Sequence, residues 1–331
     1  MASALAGCMP RGEDAPTAAA PTTPKTPAFT PVYGSIQTEG LAARVTTLSS
    51  RKGATETLTA SDVTLVDRLR AFTTSITRNT TTTGRADQQD VLVASSGLGA
   101  SGPLIGRIEG DNNGLYRGSA SNAAGESLYF TTTPAANMEA SLGATNLAYS
   151  YIGLGSFGEK TTTDASTAYD GHVFALFGGQ RTPVMPTSGT ATYRGAFEGS
   201  ETTVTTGAAG ATKADLYGKM QANVDFGAAK VTGRVDDIQA YRASAVSTVP
   251  SKSSVDYSLV FTGDIIGTGF VGKTQMTQAG ASTPTDGVQN GAVQGGFFGP
   301  QAAETAGALV VTATNGATKR AVVGGFGAKK Q

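Results

Sequence analysis

Short alternating segments, each cut off by glycine, asparagine or threonine, recur from about residue 34 to the end of this chain and constrain its fold more than any other feature. A period of two places apolar side chains on one face of a strand, and runs this short are poor helices. In the first half, residues 63–66 (Val-Thr-Leu-Val), 91–93, 127–130, 147–152 and 172–177 read as strands. The stretch 110–114 (Gly-Asp-Asn-Asn-Gly) supplies the positive φ a hairpin needs, and 78–84 reads as a solvated loop. Composition agrees: 44 glycines, abundant threonine and serine, and only 15% charged residues favour strands and turns over helices. Little helix is expected.

The pattern breaks at 181–186, Arg-Thr-Pro-Val-Met-Pro, where two prolines cannot donate to a central ladder and so mark a linker. Strands then follow more regularly, at 190–199, 215–226, 229–238, 257–263, 269–275, 293–298, 308–313 and 320–326. Eight strands suffice to close a small barrel filled by its own side chains. Tyr193 before Gly195, Tyr217 before Gly218 and Phe261 before Gly263 pair an aromatic with a strand glycine, as expected where barrel strands bend. The expected domains are 1–33, 34–182 and 183–331.

The first segment is a tether. From Met9 to about Pro31 the chain is rich in proline, alanine and threonine without an apolar period. Ahead of it, Leu5-Ala6-Gly7-Cys8 resembles the lipobox at which bacterial lipoprotein precursors are cleaved and acylated, which makes Cys8 the expected lipidation site. The seven residues before Cys8 are too few for a complete signal peptide, which would then begin further upstream. Acyl chains on Cys8 would contribute about 0.8 kcal/mol per buried CH₂ and hold the protein to a membrane. As the single cysteine, Cys8 leaves no intramolecular disulfide to form.

Lys+Arg and Asp+Glu are equal at 25 each, so no overall basic field draws the chain to nucleic acid. The lone histidine, His172, excludes most metal sites and all Ser/His/Asp and Cys/His machinery elsewhere in the chain. Asp236 and Asp237 are adjacent on an expected strand and face opposite ways, so they read as solvated groups and not as a catalytic pair. No catalytic residue, resident metal or required cofactor is expected. A pore-forming barrel would need a continuous apolar outer band, which Lys230, Arg234 and Asp236 on one strand face argue against.

The second half resembles a known family. Met185-Pro186-Thr187-Ser188-Gly189-Thr190-Ala191-Thr192-Tyr193-Arg194-Gly195 is similar to the opening of the β-barrel domain in transferrin-binding protein B and its lipoprotein relatives. Asp225-Phe226-Gly227 with Val231-Thr232-Gly233 resembles that family's second hairpin. The segment from Gly296 to Glu304, Gly-Phe-Phe-Gly-Pro-Gln-Ala-Ala-Glu, resembles its most diagnostic motif. There, two phenylalanines end a buried strand, a glycine and proline turn the chain, and Glu304 is expected to satisfy amides in that turn. The resemblance covers about 183–331. It implies an all-β chain in which an N-terminal β-rich handle domain precedes a C-terminal eight-stranded antiparallel β-barrel, in a single-lobe relative of the family.

What the resemblance implies about function is capture at the cell surface: an outer-membrane lipoprotein that binds an iron source, haem or an iron-carrier protein, and passes it to a TonB-dependent outer-membrane transporter. The alternative is a structural or adhesive interaction lipoprotein without small-molecule cargo. Haem iron is held by histidine or tyrosine, so His172, with Tyr169 nearby and Phe174 and Phe177 as flanking aromatics, is the sharpest candidate ligand. Tyr151 is a further candidate, and Tyr116, Tyr129 and Tyr149 read first as ordinary strand aromatics.

Overall fold

A computed structural model describes residues 35–52, 55–59, 70–79, 88–95, 104–110, 116–134, 147, 149–163, 166–205, 211–242, 251–280, 285 and 287–331. Cys8, the tether and the expected strand at 63–66 lie outside the described residues, as do the cores of the loops at 80–84 and 111–114.

The first nine strands are β1 (Ser35–Lys52), β2 (Thr55–Thr59), β3 (Arg70–Asn79), β4 (Gln88–Ser95), β5 (Leu104–Gly110), β6 (Tyr116–Ser121), β7 (Glu126–Pro134), β8 (Ser150–Thr163) and β9 (Ser166–Gly179). They form one antiparallel sheet in the order β2-β1-β3-β4-β5-β6-β7-β8-β9, and β1 also pairs with β9. The handle is therefore itself a closed ring, with β2 appended to the far end of β1. Closure uses a long register, from Thr38 opposite Gly178 to Ser50 opposite Ser166.

The second half contributes β10 (Thr190–Thr205), β11 (Ala211–Asp225), β12 (Lys230–Arg242), β13 (Ser251–Ser254), β14 (Tyr257–Ile266), β15 (Gly269–Gln278), β16 (Val288–Phe298), β17 (Glu304–Asn315) and β18 (Thr318–Lys330). Their order is β11-β10-β18-β17-β16-β15-β14-β12-β13, closed by β11 against β12. Eight strands make the barrel, and β13 continues the line of β14 along the upper part of β12. The eight expected strands are all present.

Alternation is what places the core. Along 221–227 exposed and buried positions alternate without interruption, with Ala222, Val224 and Phe226 pointing inward. On β12, Val231 and Val235 point inward, and the pattern then shifts at a bulge where Asp237 (φ 52°) and Ile238 oppose Gly218. Inside, Phe261 stacks on Phe326 with centroids 5.2 Å apart, and Phe270 lies 5.7 Å from Phe297. These rings fit because glycine faces them from the neighbouring strand. A Cβ on Gly233 would sit 2.1 Å from the Phe261 ring, and one on Gly295 would sit 2.1 Å from that of Phe270. The interior is thus filled, and each fully buried phenylalanine contributes about 1.5–3 kcal/mol. The outer wall is polar: Lys219, Gln221, Asn223 and Asp225 of β11 and Lys273 and Gln275 of β15 are exposed.

One patch of that outer wall is apolar, and the handle covers it. Ala196, Phe298, Ala306, Ala308, Val310 and Val323 of the barrel pack against Leu41, Ile152, Ala175 and Phe177 of the handle. The linker between β9 and β10 is held down at the same place. Arg181 pairs with Glu39, donates to the Thr268 carbonyl at 3.3 Å, and lies 4.9 Å from the Phe298 ring.

Two sequence expectations are corrected at this seam. Glu304 does not satisfy amides in its own turn: its Oε2 accepts the backbone N–H groups of Tyr149 (2.8 Å) and Ser150 (3.0 Å) and the Ser150 hydroxyl (2.8 Å). The turn is a 3-10 turn at Pro300–Ala302 whose Ala302 carbonyl accepts from the Tyr193 hydroxyl at 2.7 Å. For the same reason the strand expected at 147–152 begins only at Ser150, because the Tyr149 N–H is spent on Glu304 and its carbonyl lies against Gly179.

Candidate functional site

The ends of β10, β12, β15 and β17 and the starts of β11, β13, β16 and β18 lie together at one end of the barrel. That mouth holds a cavity of about 530 Å³, with Met276 and Ala313 on its wall and Gln278, Asn315, Thr318 and Arg320 among its polar lining. Alternation explains the placement: Met276 and Gln278 lie two apart on β15, and the β17–β18 hairpin brings Thr318 opposite Asn315.

A buried charge cluster adjoins the cavity. Glu201 of β10 is only 4% exposed, and its carboxylate accepts the Tyr257 hydroxyl at 2.7 Å and the Thr203 hydroxyl at 3.4 Å. Two guanidinium groups approach it, Arg242 and Arg320, each at 3.6 Å. Arg320 also rests 5.0 Å from the centre of the Tyr257 ring and 3.5 Å from Asp256. Burial, then the Glu201 charge, hold the Tyr257 hydroxyl well above its usual pKa, so it stays a donor. Neither Glu201 nor Arg320 stood out in the sequence, because their partners lie on distant strands.

On the barrel's outer wall, Glu198 of β10 is raised to about pKa 7, by burial first and by the Asp215 charge second. Beside it Tyr217 meets Tyr241 edge-on at 5.4 Å.

The residues singled out from sequence fall elsewhere. His172 lies on β9, opposite Arg44 of β1 and Phe157 of β8. Tyr169 lies three positions earlier on the same strand, opposite Lys160, whereas Tyr151 stands opposite Gly178 at the other end of β9. The register therefore brings His172 and Tyr169 to one stretch of the handle and leaves Tyr151 apart. Phe174 and Phe177 are fully buried, so neither lines an open face for a porphyrin. Tyr149 packs against Gly299 at the seam. Asp236 is held by Arg234 and Ser258, and Asp237 by Lys219, so the two carboxylates do not converge. Among the described residues no cluster of three or more histidine, cysteine or acidic side chains could hold a metal ion.

Residues 185–330 match the family model described as the C-lobe and N-lobe β-barrels of transferrin-binding protein B. No curated protein sequence matches the chain. Among solved structures, it is similar to a transferrin-binding protein B double mutant from Haemophilus parasuis at 14% identity and a TM-score of 0.39, covering 90% of this chain and 76% of the other. The isotype 1 transferrin-binding protein B of serogroup B Neisseria meningitidis aligns at 15% identity and a TM-score of 0.29, covering 90% and 77%. A structure described as a surface lipoprotein aligns at 18% identity and a TM-score of 0.28, covering 56% and 77%.

Proposed function

We propose that this chain, whose barrel is that of the transferrin-binding protein B family, is a binding protein of the bacterial outer membrane that captures an iron source at the cell surface. The observation that carries the reading is the family match over residues 185–330, which spans the whole closed barrel. In this reading Cys8 carries the lipid anchor, the tether holds the folded rings clear of the membrane, and a TonB-dependent transporter receives the cargo.

Physical features favour a protein carrier as cargo over haem held in the centre of the barrel. Phe261, Phe270, Phe297 and Phe326 fill the interior and are at most 2% exposed, so nothing the size of haem enters it. The polar outer wall of β11 and β15 lacks the apolar band that a lipid-spanning barrel displays. Two closed rings fixed to each other present a rigid scaffold from which loops can engage a large partner. Haem remains the second cargo, with His172 and Tyr169 as the candidate ligands.

The test is surface plasmon resonance of the full chain against iron-loaded and iron-free transferrin, beside a haem titration followed by absorbance with His172→Ala as control. Saturable binding that prefers the iron-loaded carrier supports capture of the carrier protein. A Soret shift lost in His172→Ala moves the cargo to haem. Absence of both at micromolar concentration overturns the iron-capture reading and leaves an adhesive role.

A further inference from the structure

We propose that the cavity at the barrel mouth is a binding site for a small sugar acid, with Arg320 pairing its carboxylate. The argument begins with charge. Two guanidinium groups, Arg242 and Arg320, approach one buried carboxylate, Glu201, which leaves one positive charge over. Asp256 supplies the balance from 3.5 Å, but its side chain is 85% exposed, so it is a loosely held counterion. An incoming carboxylate can replace it without stranding any charge, because Asp256 swings back into water.

Geometry singles out Arg320 as the group that receives the ligand. Arg242 is engaged, donating to the Ser253 hydroxyl at 2.9 Å. Arg320 makes no direct hydrogen bond among the described residues, although it lies over the Tyr257 ring and is steered by Glu201. A guanidinium held in place with its donors unspent is prepared for a bidentate carboxylate. The rest of the lining suits hydroxyl groups: Gln278 and Asn315 offer amides and Thr318 a hydroxyl, while Met276 and Ala313 give an apolar wall for a sugar's C–H face. At about 530 Å³ the cavity has room for one or two sugar rings.

The same chemistry is presented by a free sugar acid and by an acidic sugar at the end of a glycan. Titration calorimetry and saturation-transfer NMR of the full chain against glucuronic acid, N-acetylneuraminic acid and glucose, with a sialylated glycopeptide as a further arm, test the proposal. Saturable binding of either acid, absent with glucose and weakening with added salt, is the expected result. A glycopeptide that binds tighter than its free sugar identifies the glycan as the source, and equal or weaker binding identifies the free acid. Arg320→Gln should weaken binding about tenfold or more, whereas Asp256→Asn should tighten it about threefold or more by removing the competing anion. Asp256→Asn changes an exposed side chain and stays interpretable if Arg320→Gln fails to fold. Equal response to glucose and glucuronic acid, no binding of either acid, or weaker binding in Asp256→Asn would each overturn the proposal.

Discussion

Glu304 Oε2 accepts both the backbone N–H and the hydroxyl of Ser150, at 3.0 and 2.8 Å, across 154 residues of sequence. Both groups are buried, so one carboxylate on the first residue of β17 fastens the first residue of β8 to the barrel. Removing it strands two amides and a hydroxyl away from water. Glu304→Ala is expected to cost about 3 kcal/mol or more, and Ser150→Ala about 1 kcal/mol, because the backbone donors survive in the second case. Chemical denaturation of the two variants checks the ranking, and near-equal losses would refute it.

The seam should also fail when Gly296 gains a side chain. A Cβ there would sit 1.3 Å from the Arg181 guanidinium, which must then leave its place beside Phe298 and Glu39. Gly296→Ala is expected to lose about 2 kcal/mol and to expose the linker at 181–189 to limited proteolysis. Unchanged cleavage at that linker would count against the role given to Arg181.

Gln289 serves as a rung where β15 and β16 have stopped pairing. Its amide accepts from the Met276 N–H at 2.7 Å and donates to the Met276 carbonyl at 3.0 Å, in the manner of a backbone peptide, and also donates to the Thr285 carbonyl at 3.0 Å. Gln289→Leu keeps the bulk and removes the bonds, with an expected cost of about 1–3 kcal/mol. Hydrogen exchange at the Met276 amide should accelerate well beyond that of its neighbours on β14.

Stability should fall as pH rises from about 4.5 to 7. The Glu198 carboxyl is raised to about 7 in the folded chain, from an ordinary value of 4.5, so the native state holds a proton that the unfolded chain releases. Its stabilising effect is complete below the unfolded value and gone once pH passes the folded one. Glu198→Gln should flatten the thermal-unfolding profile between pH 5 and 8, adding about 1–2 kcal/mol at the alkaline end after allowing for partial exposure. A profile as steep as that of the parent chain would assign the slope to other groups.

The barrel was legible in the sequence because its information is local. Val231 and Val235 announce their face by alternation, and Phe226-Gly227 announces a turn. Closure of the handle was not legible. β1 mixes small, polar and charged residues with scattered apolar ones and shows little apolar alternation, and its place is set by pairing with β9 far along the chain. Glu304 stands out in the sequence through the turn beside it, but its partner Ser150 lies 154 residues away and carries no local signal. The mouth cluster went unseen for the same reason: Glu201, Tyr257 and Arg320 are unremarkable until three strands bring them together.

The two rings also bear on how fast the molecule can assemble. Hairpins such as β11–β12 and β17–β18 can zip from their turns, but each ring shuts only when its first strand finds its last, β1 with β9 and β10 with β18. Loop-closure entropy must be met before those ladders return anything, so the shutting steps set the refolding rate and place it in the millisecond-to-second range.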